Sequence, residues 1–239
     1  MALVPVADDI WLAEGPIVDF YSFPYPTRSV LIRLGQRRLW VWSPVALTAE
    51  LRTEVDALGQ VDHLVSPNRI HHLFLDQWKA AYPDARLWGP AQTVRKRPDL
   101  PFEAPLDDSP PAAWAGVIDQ VLFTGSLFMD EMVFFHRTSR TAILADLSEN
   151  FTDAFLKTHW QGWRRILARH WGIVEGKGYA PLEWRLSWLR RATARRALGR
   201  LLGWRPERVI MAHGKWQSSG GTEYLKRAFA WLGPPERPE

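Results

Sequence analysis

Short runs in which apolar residues alternate or stand unbroken take turns along this chain with stretches of helical spacing. Asp8 to Glu14 reads as a strand broken by Gly15-Pro16. Arg28 to Leu34 and Arg38 to Ser43 are β-rich runs on either side of Gly35-Gln36, which reads as a hairpin. Thr48 to Leu58 carries the helical pattern, with Thr48 as N-cap and Glu50 in the first turn. Val61 to Val65 is the next strand, His71 to Tyr82 the next helix, and Arg86 to Trp88 a short strand closed by Gly89-Pro90.

Arg97 to Ala115 is rich in Pro and Asp and reads as loop. Three strand-like runs follow, Gly116 to Phe123, Glu131 to Arg137 and Thr141 to Leu147. The spacing then predicts long helices over Phe151 to Trp171 and Pro181 to Leu202, a strand from Arg208 to Ala212 and a helix from Thr222 to Leu232. The Pro-rich end from Gly233 to Glu239 reads as frayed. Two strand clusters, each interleaved with helices, fit an α+β fold of two face-to-face sheets with helices outside. A regular βαβ alternation is excluded, and no GxGxxG or Walker-type loop occurs.

With 239 residues, 46% of them hydrophobic, the chain suffices for one domain over 1–239, with a helical insertion at about 151–205. No apolar run reaches the ~20 residues of a membrane span, and the N-terminus lacks a signal pattern, so a soluble, cytoplasmic protein is expected. There is no cysteine, so a metal must rest on His, Asp or Glu. The net charge of +4 is mild, and no nucleic-acid partner is expected. The 14 tryptophans serve either core or pocket, and composition does not choose between them. Arg190-Arg191 and Arg195-Arg196 lie in an Arg-rich stretch from Arg185 to Arg208. Such a helix touches phosphates or an acidic membrane when its charges form one face. Here apolar and Arg positions interleave, so it reads as a solvated lid with snorkelling arginines. No nucleophile elbow, cysteine nucleophile or HExxH is present.

The segment richest in chemistry is Asp62-His-Leu-Val-Ser-Pro-Asn-Arg-Ile-His71-His72-Leu73, where a strand runs into a loop bearing two adjacent imidazoles. It resembles the first metal-binding loop, Thr-His-x-His-x-Asp-His, of the metallo-β-lactamase superfamily. Ser66 takes the Thr place, Pro67 and Arg69 the first two His places, His71 the Asp place and His72 the last His place. The likeness continues in order along the chain. Asp9 to Gly15, Thr27 to Ile32 and Leu39 to Ser43 follow the superfamily's opening strands, with Ser43 where Asp is usual. Leu122 to Ser126 resembles the His-Thr-Pro-Gly-His turn without its imidazoles. Ala142 to Asp146 looks like the strand delivering the bridging Asp, and Arg208 to Gly214 like that delivering the last His. More narrowly, Asn68 to Leu75 resembles the Asn-x-x-His-His-Leu-Phe-Leu signature of an uncharacterised branch.

The resemblance implies a four-layer αββα sandwich and a degenerate site. The first metal's ligands are replaced by Pro67, Arg69 and Ser126, while His71, His72, Asp146 and His213 remain to hold one divalent ion, Zn²⁺ or Fe²⁺. Arg69 is the candidate catalytic cation in a vacated place, or else a salt-bridge partner that closes the site on Asp146. Outside this set, His136 reads as a packed strand residue or a substitute for the missing third His. His63, His159 and His170 read as structural or solvent-facing. Two function classes follow: a mononuclear metal-dependent hydrolase acting on a small, anionic molecule, or a non-catalytic relative that binds a small anion or a protein. Fold alone does not choose the substrate.

Overall fold

Strand pairing in the computed structural model, which describes residues 2–236, builds two separate sheets. Strands β1 (Leu3–Ala7), β2 (Ile10–Phe20), β3 (Phe23–Leu34) and β4 (Arg38–Trp42) pair antiparallel in chain order. Helix α1 (Ala49–Leu58) returns the chain to β5 (Gln60–Val65), parallel to β4. Helix α2 (Leu75–Ala81) does the same for β6 (Arg86–Trp88), parallel to β5. After α3 (Ala91–Lys96), the second sheet opens as an antiparallel meander of β7 (Ile118–Phe123), β8 (Glu131–His136) and β9 (Thr141–Leu144). Four helices follow: α4 (Asp153–His159), α5 (Gly162–Trp171), α6 (Leu182–Leu186) and α7 (Arg191–Gly203). The chain then returns as β10 (Arg208–Met211), parallel to β9, and ends on α8 (Gly221–Ala228).

Strand alternation explains the layering, because successive side chains face opposite sides of a sheet. Trp40 and Trp42 of β4 point into the space between the sheets, where they meet Met132 and Phe134 of β8, Ile143 of β9 and Ile210 of β10. Leu39 and Val41 face the other way, onto Leu51 and Val55 of α1 and Leu75 and Trp78 of α2. On the second sheet, Val133, Phe135, Ala142, Leu144 and Val209 turn outward onto α7 and α8, through Ala197, Leu198, Leu201 and Leu225. The result is the α+β, four-layer αββα sandwich that the pattern predicts. Most of the tryptophans serve this core; each large side chain fully buried contributes about 1.5–3 kcal/mol.

Several predicted elements differ in extent. Gly15-Pro16 does not end the first long strand; it makes a register shift between Glu14 and Ile17, and β2 and β3 continue as a long hairpin. The helix predicted from His71 begins only at Leu75, because residues before it are held in turns by Asn68. Helix α3 falls between Gly89-Pro90 and Arg97, a stretch to which the sequence pattern assigns no element. Both long helices are broken in two. Gln161 is extended and caps α5, while Ser187 folds its hydroxyl back onto the Trp184 carbonyl and ends α6. The tail is docked as far as it is described: Glu236 pairs with Arg195 at 2.9 Å, and residues 237–239 of the stretch expected to fray lie outside the described residues.

His63, buried on β5, is structural as expected. The Trp88 indole donates to its Nδ1 at 3.1 Å, which leaves the ring's proton on Nε2. Burial, with the charges of Arg86 and Arg38, pulls its pKa down to about 4. Between 6.5 and 4 only the unfolded imidazole takes up a proton, so this residue's contribution is present above 6.5 and lost as pH falls. His63→Gln keeps an acceptor for Trp88 and removes the titration. The stability difference, wild type minus variant, should therefore decline from pH 6.5 to 4 by up to about 1.4 kcal/mol per pH unit. Parallel curves in urea denaturation across that range would refute the assignment.

Candidate metal centre

Three side chains from three separate connections meet at one edge of the sandwich. His71 comes from the loop after β5, Asp146 from the end of β9 and His213 from the end of β10. His71 Nε2 stands 3.1 Å from Asp146 Oδ2, and His213 Nε2 stands 3.2 Å from Asp146 Oδ1. One ligating atom from each of the three lies within 4.8 Å of the others, the sole such group of His, Asp or Glu residues among those described. Donors at ~2.1 Å from a tetrahedral ion would stand roughly 3.4 Å apart, close to the two contacts with the carboxylate.

The surroundings fix these groups. Asn68 is the organiser: its Oδ1 accepts from the Ile70 and His71 amides, and its Nδ2 donates to Asp146 Oδ2 at 2.7 Å and to Glu131 Oε2 at 2.9 Å. Glu131, fully buried on β8, also accepts the backbone N–H groups of Ala145 and Asp146 at 2.8 and 2.9 Å. The strand end that carries Asp146 is thus held by a second carboxylate. His71 Nδ1 contacts Ser43 Oγ at 2.8 Å, and Ser43 itself sits at φ +46°, a left-handed conformation unusual for serine. Gly214 follows His213 at φ +94°, where the Asn150 carbonyl passes 2.3 Å from the position a Cβ would take, so that neighbour must be glycine.

Electrostatics follow from burial and pairing. Burial alone would raise the Asp146 carboxyl, but the nearby His71 charge and the bonds to both imidazoles outweigh it and hold the group well below the usual carboxylate range. Burial opposes protonation of His71, yet the Asp146 charge prevails and raises its pKa. Burial, reinforced by Asp146, pushes Glu131 up to about 7. Glu149, buried close by and bonded only to the Tyr25 hydroxyl at 3.3 Å, is raised well above the ordinary value by the same two causes.

The predicted residues divide cleanly. His71, Asp146 and His213 are brought together; His72 is not. It turns outward, with Nδ1 3.3 Å from an Arg97 guanidinium nitrogen, because adjacent residues in a turn direct their side chains apart. Burial and the charges of Lys96 and Arg97 lower its pKa. Arg69 makes no salt bridge to Asp146: its guanidinium donates to the Phe128 carbonyl at 3.1 Å and packs over the Phe128 ring. Ser126, at another vacated ligand place, is tied up with Ser187, Trp184 and two backbone amides. His136 is a core residue bonded to Ser139 Oγ at 2.8 Å. Glu131, Glu149 and Tyr25 were not singled out by the sequence. The one signal for Glu131 is an acid at the head of the apolar run Met132-Val-Phe-Phe135.

A metal ion fits this donor set. A backbone carbonyl can only accept, so the Pro26 carbonyl, 2.7 Å from His213 Nδ1, places the ring's proton on Nδ1. With the proton there, an uncharged ring would turn its Nε2 lone pair toward a carboxylate oxygen, an arrangement that requires a cation or an added proton between them. A ligating imidazole whose other nitrogen is held by a carbonyl is the usual outer arrangement of metal sites.

The centre opens into a cleft between the β2–β3 hairpin, the loops around Leu73 and Phe128, and α6. Its walls include Phe20, Tyr25, Phe128 and Trp184, with Glu149 and Glu183 as acidic members, and no Lys or Arg among the described residues lines it.

Fold and site together define a protein of the metallo-β-lactamase fold. The structure superposes on the DIM-1 metallo-β-lactamase exposed to ceftazidime with a TM-score of 0.65 and 13% identity, covering 96% of this chain and 95% of that one. A metallo-β-lactamase from Pontibacter korlensis gives 0.62 and 12% identity over 96% and 97% of the two chains. The metal-soaked Flv1 flavodiiron core from Synechocystis sp. PCC6803 gives 0.62 and 12% identity over 96% of this chain and 60% of that one. At such identities the likeness shows the fold alone. Residues 7–157 match the family described as a domain of unknown function (DUF4336), and the chain belongs to that family. No curated protein sequence matches significantly.

Proposed function

We propose that this protein is a metal-dependent hydrolase working with one divalent ion, Zn²⁺ or Fe²⁺, held by His71, Asp146 and His213. The carrying observation is that two imidazole Nε2 atoms converge on one carboxylate while the His213 Nδ1 atom is committed to the Pro26 carbonyl. Three protein ligands leave a position for water, as catalytic rather than structural sites do. A bound ion would supply Lewis acidity to water and to a substrate carbonyl or phosphoryl oxygen. The chain's own residues orient: Asn68 and Glu131 fix Asp146, Ser43 fixes the His71 ring, and aromatic side chains wall the cleft. Glu149, whose carboxyl is pushed well above its ordinary value by burial and by the Asp146 charge, lines the cleft beside the site. Arg69 is outside the cleft lining and receives no part in this scheme. Among the described residues the lining offers no Lys or Arg to an anionic substrate, so a negative group would be met by the ion and imidazoles. A small, neutral and partly apolar molecule suits the walls better. In this reading residues 1–239 act as one unit whose helical segment, about 151–205, supplies one wall of the cleft.

One observation favours the non-catalytic alternative: the imidazole–carboxylate contacts are also coherent with protonated rings and no ion. Elemental analysis of untagged protein purified without added metal separates the two. About one Zn or Fe per chain, and metal-dependent turnover in a screen of esters, thioesters, lactones and phosphodiesters, supports the hydrolase. Protein that stays metal-free in equilibrium dialysis against Zn²⁺ and Fe²⁺ defeats it. His72→Ala should leave metal content unchanged, since that ring faces Arg97; a loss of metal would return His72 to the ligand set.

A further inference from the structure

Four leucines and a phenylalanine stand unusually far into solvent beside the cleft mouth. Leu127 is 76% exposed, Leu189 69%, Leu186 68%, Leu73 58% and Phe128 39%. They are not loose. The loop after β7 and the turn between α6 and α7 are stapled together: the Leu127 amide donates to the Ser187 carbonyl at 3.0 Å and the Arg190 amide to the Gly125 carbonyl at 3.2 Å. Ser126 forms a β-bridge with Trp188, and its hydroxyl accepts from the Trp184 indole at 3.0 Å. The leucine tips are therefore held outward by a rigid base, at the cost of leaving large apolar groups in water. Contiguous exposed apolar surface of this kind marks an interaction site.

Cations rim the same lip. Arg69 donates to the Phe128 carbonyl, Lys96 reaches the Arg69 carbonyl at 3.0 Å, and Arg190 and Arg191 continue directly from Leu189. None of these four has a carboxylate partner among the described residues. By contrast, the neighbouring arginines Arg195, Arg196 and Arg200 are paired with Glu236 or Asp108. Asp130, an acid of the same loop, is engaged by Gln92.

We propose that this leucine-tipped, cation-rimmed lip docks on the surface of an anionic lipid membrane. Protruding aliphatic tips enter the boundary between headgroups and acyl chains, while Arg and Lys reach the lipid phosphates. Other occupants fit less well. A symmetric second copy would set four unpaired cations against four more. A protein partner is usually gripped through Tyr, Trp and Arg anchors seated in pockets, and leucine is under-represented among such anchors. No helix of the described residues is long and apolar enough to cross a membrane, so the attachment is peripheral. Leu73 and Phe128 belong to both the lip and the cleft wall, so docking turns the cleft mouth toward the bilayer. The docking surface does not depend on the metal assignment.

Cosedimentation of the untagged full chain with phosphatidylcholine vesicles, with and without phosphatidylglycerol, tests this. Binding is expected only with phosphatidylglycerol and should weaken as salt is raised. Removing two cations by Arg190→Ala with Arg191→Ala should lower the partition coefficient about tenfold or more. Leu127→Ser with Leu189→Ser should do the same, with thermal melting showing that both variants fold. Equal binding to both vesicles, or binding indifferent to the arginine pair, overturns the proposal. So does absence of binding together with a dimer in sedimentation velocity that the leucine substitutions dissolve, which would assign the lip to a second copy.

Discussion

Asp146→Ala should strip the protein of bound metal and, with it, of any metal-dependent turnover. Asp146 touches both imidazoles, and its two oxygens are divided between them. Removing an outer partner of a metal ligand commonly costs ~10–100-fold in affinity, so removing the shared ligand should cost at least that. His213→Ala should lose metal equally, because His71 and Asp146 alone leave too few protein donors for a tetrahedral ion. Ser43→Ala, by contrast, takes away only the group that orients the His71 ring and should weaken binding within the outer-partner range. Equilibrium dialysis with elemental analysis ranks the three variants. Retention of one ion per chain by Asp146→Ala would sink the site assignment, whatever happened to activity.

How much of this was legible in the chain depended on whether a residue's role was local. Strand alternation made the sheets readable, since inward Trp40 and Trp42 and outward Leu39 and Val41 follow from pleating alone. His71, Asp146 and His213 were nameable through the collinear motifs, because each sits at a strand-to-loop junction that the fold places at one edge. His72 failed for a stereochemical reason. Asn68 locks the backbone after it into turns, and within them His71 faces inward and its neighbour outward. The broken helices failed because their breaks are tertiary. Nothing in the spacing around Ser187 shows that the segment pairs with Gly125 to Leu127. Glu131 was hidden by its company: it follows Asp130 at the head of an apolar strand, and only the folded strand order brings its carboxylate to the Ala145 and Asp146 amides.

Glu131 therefore bears the second large prediction. Its carboxylate accepts two backbone amides of the β9 turn and one amide proton of Asn68, all in a site shut off from water. Glu131→Ala leaves the Ala145 and Asp146 amides without an acceptor, while Asn68 keeps Asp146. Each buried donor left unpaired typically costs about 1–3 kcal/mol, so the two together cost roughly 2–6 kcal/mol. Glu131→Gln preserves the shape but turns an NH₂ toward donors at one end, so a smaller loss, about 1–3 kcal/mol, is expected. Because Asn68 bridges Glu131 and Asp146, both substitutions should also loosen metal binding while leaving its stoichiometry intact. Chemical denaturation of the metal-free protein isolates the first effect, and metal titration the second. A Glu131→Ala variant as stable as the wild type would mean that water satisfies those amides and that Asp146 is positioned by its imidazoles alone. Such a result would also predict that Asn68→Ala leaves metal affinity untouched, whereas the bridge seen here requires it to fall.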